Sequence, residues 1–317
     1  MHILYAVIAA TVAIFTIPCS AYSWPDRTVH VIVPLPAGGS TDIAARMFAG
    51  RLAERWHQPV VVENRPGADG IVGVAAFVNS RDDHTLLLSF AGPVSINPLI
   101  RDDLPYDPAR DLVPIASIID NFFAIAVSET LHVSTLAEFV QEARKAPGKL
   151  NWAATPGLPQ YIFAALQKNA GIELAQASYS QFPLALQDLA AGRIHAAVTS
   201  LAFLLPFAIA GKARLVMVTN AERSPLAPDV PTAREAGYPE LTFEGVVGFY
   251  GWRDMPGSLQ ERIAADIRAA GADPAIAARL VQIGSVLRLG SSQEFAAAIE
   301  EQRAKVAAVL RPTKVSK

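Results

Sequence analysis

The residues that concentrate the most chemistry are Gly38, Gly39, Ser40, Thr41 and Asp42. They follow the run Val29-His30-Val31-Ile32-Val33-Pro34-Leu35-Pro36-Ala37 and lead into Ile43-Ala44-Ala45-Arg46-Met47-Phe48. The preceding run is β-branched, and the pairs Ile43/Met47 and Ala44/Phe48 repeat at the spacing of a helix face, so the stretch reads as strand, glycine turn, helix. Such a turn presents backbone N–H groups at the positive end of a helix, which holds an anion without a cationic side chain. Gly38 and Gly39 admit a ligand without a Cβ in the way, and Ser40, Thr41 and Asp42 are types that cap a helix start. No lysine follows the glycines and no Gly-x-Gly-x-x-Gly spacing occurs here, so the turn suits a carboxylate better than a nucleotide. Asp42 is read as a helix cap, because a carboxylate facing an anionic ligand would repel it.

Other chemistries lack their residues. The six histidines, His2, His30, His57, His84, His132 and His195, show no metal-ligand spacing. No Gly-x-Ser-x-Gly elbow is present, and no paired carboxylates stand at a helix spacing near a glycine turn to suggest acid/base work. No catalytic residue, metal or cofactor is expected. Arg46 and Arg65, the cations nearest the two N-terminal turns, are read as surface ion-pair partners.

The elements that must position the turn follow from periodicity. Val60–Glu63 reads as a second strand, followed by the turn 64–70 and a helix over 71–76; Thr85–Phe90 reads as a third strand ending at Ala91-Gly92-Pro93. Strands alternating with helices predict a mostly parallel sheet, in which ligands sit beyond the carboxyl ends, so the three turns are expected to open onto one cleft. Residues 104–111 read as an extended, proline-stiffened approach to a crossing, and 113–127 as one strand. Thr135 and Glu138 form a capping box. A second α/β unit follows, with helices at 158–170 and 183–191 and strands at 150–153, 196–199 and 215–219; the apolar stretch 201–210, short and holding Pro206, reads as a buried helix. The proline-rich stretch 224–232 reads as a second linker, and helices at 259–270, 274–283 and 292–310 finish the chain, the last with Phe295, Ile299 and Val306 on one face. The expectation is an α/β protein of two discontinuous lobes, 24–120 plus 226–317 and 121–225, with a ligand cleft that closes by a hinge.

Composition narrows the setting. A hydrophobic content of 51% excludes a disordered chain, and a net charge of −2 excludes a basic nucleic-acid surface. Residues 1–23 contain no Asp, Glu, Lys or Arg and end in small residues, the pattern of an export signal cleaved after Ala21 or Ser23. Cleavage there would discard Cys19, the single cysteine, leaving a periplasmic chain with no disulfide, thiol nucleophile or thiolate metal site.

With these residues laid out, the chain resembles the solute receptors of tripartite tricarboxylate transporters, the Bug receptors. The resemblance rests on Trp24-Pro25-Asp26-Arg27, the loop from Pro34 to Asp42, Gln58-Pro59-Val60-Val61-Val62-Glu63-Asn64-Arg65-Pro66-Gly67-Ala68, Ile96-Asn97-Pro98 and Leu104-Pro105-Tyr106-Asp107-Pro108. Pro147-Gly148-Lys149-Leu150-Asn151, Gly211-Lys212-Ala213-Arg214, Arg223-Ser224-Pro225 and Pro228-Asp229-Val230-Pro231-Thr232 continue it in order. It implies a two-lobed type II periplasmic-binding-protein fold, no catalysis, and a small carboxylate held mainly by backbone amides and waters. The receptor would act as a monomer and deliver its ligand to membrane subunits of a transporter, or signal to a sensor kinase ectodomain; no nucleic-acid partner is implied.

On this basis the expected ligand contacts in the first lobe are Pro36, Gly38, Gly39, Ser40, Thr41, Asp42, Ala91 and Gly92. Those of the second lobe are Thr155, Gly157, Tyr179, Gln181 and Thr199. The second lobe departs from the family pattern. Ala154-Thr155-Pro156-Gly157-Leu158-Pro159-Gln160-Tyr161 replaces Ser-Ser-Gly-x-Gly-Thr-x-x-His, and its prolines offer no N–H. Tyr179-Ser180-Gln181 replaces Tyr-Lys-Gly and loses a cation, His195 stands where Asp is frequent, and Gly248-Phe249-Tyr250 replaces Trp-Phe-Gly. The far end of the ligand is therefore expected to be less charged or more aromatic than citrate.

Overall fold

The structure, a computed structural model, describes residues 24–155, 157–179 and 181–310. The expected export segment 1–23, with Cys19, lies outside these residues. The chain opens with β1 (Val29–Val33), α1 (Ser40–Trp56), β2 (Val60–Asn64), α2 (Ile71–Ser80) and β3 (Thr85–Phe90). The short helices α3 (Asn97–Ile100) and α4 (Pro108–Asp111) and strand β4 (Leu112–Asn121) follow. A second unit contains β5 (Phe123–Ser128), α5 (Leu136–Lys145), β6 (Asn151–Ala154), α6 (Leu158–Ala170), β7 (Ala175–Gln176), α7 (Phe182–Ala190), β8 (Ala196–Ser200), α8 (Leu201–Ile209) and β9 (Ala213–Val218). The chain ends with β10 (Gly245–Trp252), α9 (Gly257–Gly271), α10 (Pro274–Gln282), β11 (Ser285–Leu287) and α11 (Ser292–Leu310).

These strands form two mixed sheets, β11-β4-β10-β3-β1-β2 and β7-β6-β8-β5-β9. β1 and β3 are runs of Val, Leu and Ile buried on almost every residue, as strands covered by helices on both faces must be. β1, β2 and β3 pair in parallel, while β10 runs antiparallel to β3 and β4 and β11 antiparallel to β4. In the second sheet β6, β7 and β8 are parallel, and β5 runs against β8 and β9. The expected mostly parallel sheets are thus each interrupted by the strand that enters from the other lobe, β10 or β5, and the first also by β11 at its edge. The reason is geometric: the carboxyl ends of the other strands face the gap between the sheets, so a strand starting from that gap must run the opposite way.

The crossing also differs from the single strand expected over 113–127. That run splits after Asn121, and β4 and β5 lie in different sheets with Phe122 between them. The proline-stiffened stretch before it stays with the first lobe, since Tyr106 is buried and its hydroxyl donates to Pro93 O at 2.9 Å. The return lies beyond 226. Val218 N donates to Pro231 O at 2.9 Å, and Ala227 and Val230 pack into the second lobe's apolar cluster. The first sheet is rejoined only at Gly245. Helix α11 ties the units together, with Phe295 and Ile299 in a first-lobe cluster and Val306 in one centred on the second lobe.

Both crossings lie side by side: Thr219 N donates to Phe123 O and Phe243 N to Thr219 O, each at 3.0 Å. At their first-lobe end Asp120 is buried, with Arg288 Nε 2.6 Å from its Oδ2. Burial, and then the neighbouring Glu244, push the Asp120 carboxyl up to about 7 against the pull of Arg288. An acid whose pKa is raised on folding holds its proton longer in the native state than in the unfolded one. Stability assigned to Asp120 is therefore full below its unfolded pKa and declines as pH rises toward about 7. Chemical denaturation of Asp120→Asn between pH 4 and 7 should show a flatter stability profile than the parent. A second test concerns Gly248 of β10, where an added Cβ would lie 2.4 Å from Phe295 Cζ and 2.5 Å from Ala116 O. Gly248→Ala should cost about 1–3 kcal/mol in the same measurement.

Candidate ligand-binding site

Where the carboxyl ends of the two sheets face each other lies a cavity of about 580 Å³, the position that open α/β sheets reserve for ligands. Its first-lobe wall is the β1–α1 turn from Leu35 to Ile43, the end of β3 at Phe90, Ala91 and Gly92, and the start of β10 at Gly245 and Val246. Its second-lobe wall comprises Thr155, Leu158, Pro159, Thr199, Ser200, Ala202 and Phe203, with Asn121, Phe123 and Ile283 at the junction.

The β1–α1 turn is organised by its carboxylate. Gly38 takes φ +88, a left-handed conformation that glycine adopts at little cost. Gly39 then stands extended as the N-cap of α1, φ −77 and ψ 167, without a side-chain cap. Asp42 reaches back and its Oδ2 accepts the Gly38 N–H at 2.8 Å, the reciprocal half of a capping box without the N-cap side chain. Asn64 Nδ2 donates to Asp42 Oδ1 at 2.9 Å and to Leu35 O at 3.1 Å, and Arg46 pairs with Asp42 Oδ1 at 3.1 Å. Burial pushes the Asp42 carboxyl up, but the bonds from Gly38, Arg46 and Asn64 outweigh it and hold the group below its ordinary value. The carboxylate is thus buried and its charge compensated.

This arrangement corrects one expectation and sharpens another. Gly38 is on the cavity wall, but its N–H is spent on Asp42 and is not available to a ligand. The next N–H groups, those of Gly39, Ser40 and Thr41, have no partner in the described chain. A Ser, Thr or Asp at the N-cap would have consumed the amide two or three residues on; Gly39 cannot. Three amides without internal partners therefore lie at the positive end of a 17-residue helix, on residues that line the cavity.

Pro36, Gly38, Gly39, Ser40, Thr41, Asp42, Ala91, Gly92, Thr155 and Thr199 all line the cavity. Gly157, Tyr179 and Gln181 are absent from its wall. Gly157 makes the turn into α6 at φ +85. The Tyr179 hydroxyl donates to Asp188 Oδ2 at 2.7 Å, and burial together with that carboxylate pushes it up to about 12. Gln181 is the exposed N-cap of α7. The second glycine turn is also not on the wall; Asn64, at its start, braces the first turn from behind. Arg46 pairs with Asp42 and Arg65 with Glu63, as read from the sequence.

On the second-lobe side the parallel neighbours β6 and β8 end together, and Thr155 Oγ1 donates to Thr199 Oγ1 at 3.2 Å. Helix α8, expected to be buried, buries only Leu201 and Leu204 and leaves Phe203 58% exposed at the cavity. It lies along the outside of its sheet, so one stripe suffices for packing. Phe90, Phe123 and Phe203 were not among the expected contacts; the apolar run of α8 signalled burial, and only its placement at the gap makes Phe203 part of the site. Asp82, Asp83 and His84 bring ligand atoms within 4.8 Å of one another. They precede β3 at the end opposite the cavity, and Arg27 pairs with both aspartates.

The comparisons agree with this geometry. Residues 44–314 match the family described as "Tripartite tricarboxylate transporter family receptor". Protein BugT of Bordetella pertussis is 33% identical over 228 residues, 71% of this chain and 70% of that one. MatC of Rhodopseudomonas palustris, solved with bound malate, superposes with a TM-score of 0.76 at 25% identity over 91% of this chain and 100% of that one. Rpa4515 of R. palustris, solved with adipate, gives 0.77 at 28% identity over 90% and 98%. A two-lobed fold, uncapped amides at the gap and a family match over most of its length place this chain among the receptors of the tripartite tricarboxylate transporter family.

Proposed function

We propose that this protein captures a small carboxylate in the periplasm and delivers it to the membrane subunits of a tripartite transporter. The observation that carries the proposal is the row of N–H groups on Gly39, Ser40 and Thr41, left without internal partners at the wall of the interlobe cavity. A carboxylate there would accept hydrogen bonds of the charge-assisted kind, each worth about 1.5–3 kcal/mol. Two or three of them supply about 3–9 kcal/mol without an arginine clamp, and burial of the rest of the ligand against the far wall must add to this before association losses leave micromolar affinity. The malate-bound and adipate-bound relatives support the same ligand chemistry. Capture without turnover is the activity we assign.

Ser40 offers a clean test, because it is the first helical residue and the residue before it is already extended at ψ 167. Proline is favoured at that position and tolerated after such a residue, so Ser40→Pro removes one N–H while keeping the helix. Calorimetry with benzoate, malate, adipate and citrate should show roughly a tenfold or greater loss of affinity for the acids the parent binds. Ser40→Ala, which keeps the N–H, should bind nearly as the parent does. Equal affinity of Ser40→Pro and the parent would place the carboxylate elsewhere. Asp42→Ala leaves the Gly38, Arg46 and Asn64 donors without their acceptor and should lower stability by about 1–3 kcal/mol in urea unfolding.

A further inference from the structure

Resting on that carboxylate-receptor reading, we infer that the cavity takes acids bearing a single carboxylate and a flat apolar body, with Phe203 as the residue that sets this specificity. Three phenyl rings reach the cavity from separate elements: Phe90 ends β3, Phe123 opens β5 and Phe203 lies in the first turn of α8. Rings in the cores of this protein pair with one another, as Trp152 stacks on Phe163 at 4.2 Å between centroids and Phe48 meets Phe249 at 6.3 Å. Phe90, Phe123 and Phe203 have no aromatic partner among the described residues, and Phe203 is 58% exposed on a helix that holds it at the gap. Phe90 and Phe123 are packed against the two cores, the Phe90 ring lying on Gly92, whereas the largely exposed ring of Phe203 has surface left to offer a flat guest.

The wall offers no ionised side chain to pair with a second carboxylate at the far end. Asp42 is the one ionisable side chain among the lining residues, and it is spent on the β1–α1 turn. At the second-lobe helix starts some amides are missing or spent, while those of Ala202 and Phe203 in α8 have no acceptor among the described residues. Pro159 has no N–H, and Leu201 N already donates to Phe122 O at 2.7 Å. Ala202 packs so closely on Gly284 of the first lobe that a Cβ on the glycine would lie 2.6 Å from the alanine Cβ. The hydroxyls of Thr155 and Thr199 bond each other and provide neutral polarity only. A second ionised group here would lose its water without charged compensation, whereas a ring would cover Phe203.

The purified protein titrated calorimetrically with benzoate, malate and adipate decides the matter. Benzoate is expected to bind roughly tenfold more tightly than either diacid. Phe203→Ala should weaken benzoate about fivefold with the thermal midpoint unchanged, the side chain being exposed, and Phe203→Arg should raise adipate affinity by a similar factor. Malate or adipate binding as tightly as benzoate, or benzoate binding unmoved by Phe203→Ala, would overturn the inference. If a diacid binds tightly and is lost in Ser40→Pro, the single-charge inference falls and the receptor reading stands. If none of the three acids binds, both fall.

Discussion

A helix cannot satisfy its first amides from within itself, and this chain leaves that deficit open at the gap between two sheets. The N-cap of α1 is a glycine, which has no oxygen to offer, and the acidic side chain of the first turn bends backward to the amide of Gly38. Both choices leave the next three N–H groups without internal partners, on residues of the cavity wall. The same residue, Asp42, steadies the turn and is prevented from repelling an anion, because Arg46 and Asn64 neutralise and orient it. The turn is therefore rigid and electropositive without displaying a cation.

The architecture follows from making two such sheets share one gap. Each sheet directs the carboxyl ends of most strands toward the other, and the chain passes between them twice by strands, β5 and β10, that start at the gap and run the opposite way. The passages are hydrogen bonded to each other, and the buried Asp120, the half-buried Glu244 and the exposed Arg288 gather at their first-lobe end. Charge held in this place is tied to the relative position of the lobes, since Asp120 immediately precedes one passage and Glu244 ends the other. Opening on a hinge here would expose the cavity walls to water; closure would bring Phe203 and the threonine pair toward the amide row.

The two walls differ in kind. The first lobe lines the cavity with main-chain donors that have no partner, while the second lines it with the Phe203 ring and the bonded hydroxyls of Thr155 and Thr199. A carboxylate bound at the first wall would keep its contacts while the far wall changed; two similar solved structures carry malate in one case and adipate in the other.

Much of this was legible in residue order. Local signals located nearly every helix, the strand–turn–helix unit at Gly38 to Asp42, and the capping box of α5, in which Thr135 Oγ1 accepts from Glu138 N at 3.2 Å and Glu138 accepts from Ser134 N at 2.6 Å. These are set by neighbours in the chain, so periodicity and capping chemistry suffice. The break of 113–127 into strands of two sheets was not visible, because an apolar β run carries no mark of which sheet each half joins. Nor was the diversion of the Gly38 amide to Asp42, or of Tyr179 to Asp188, since each depends on where one side chain finds a partner in three dimensions. Phe203 shows the limit most plainly: hydrophobicity in sequence predicts burial, and only the packing of α8 by one stripe decides that this ring faces the cavity instead of the core.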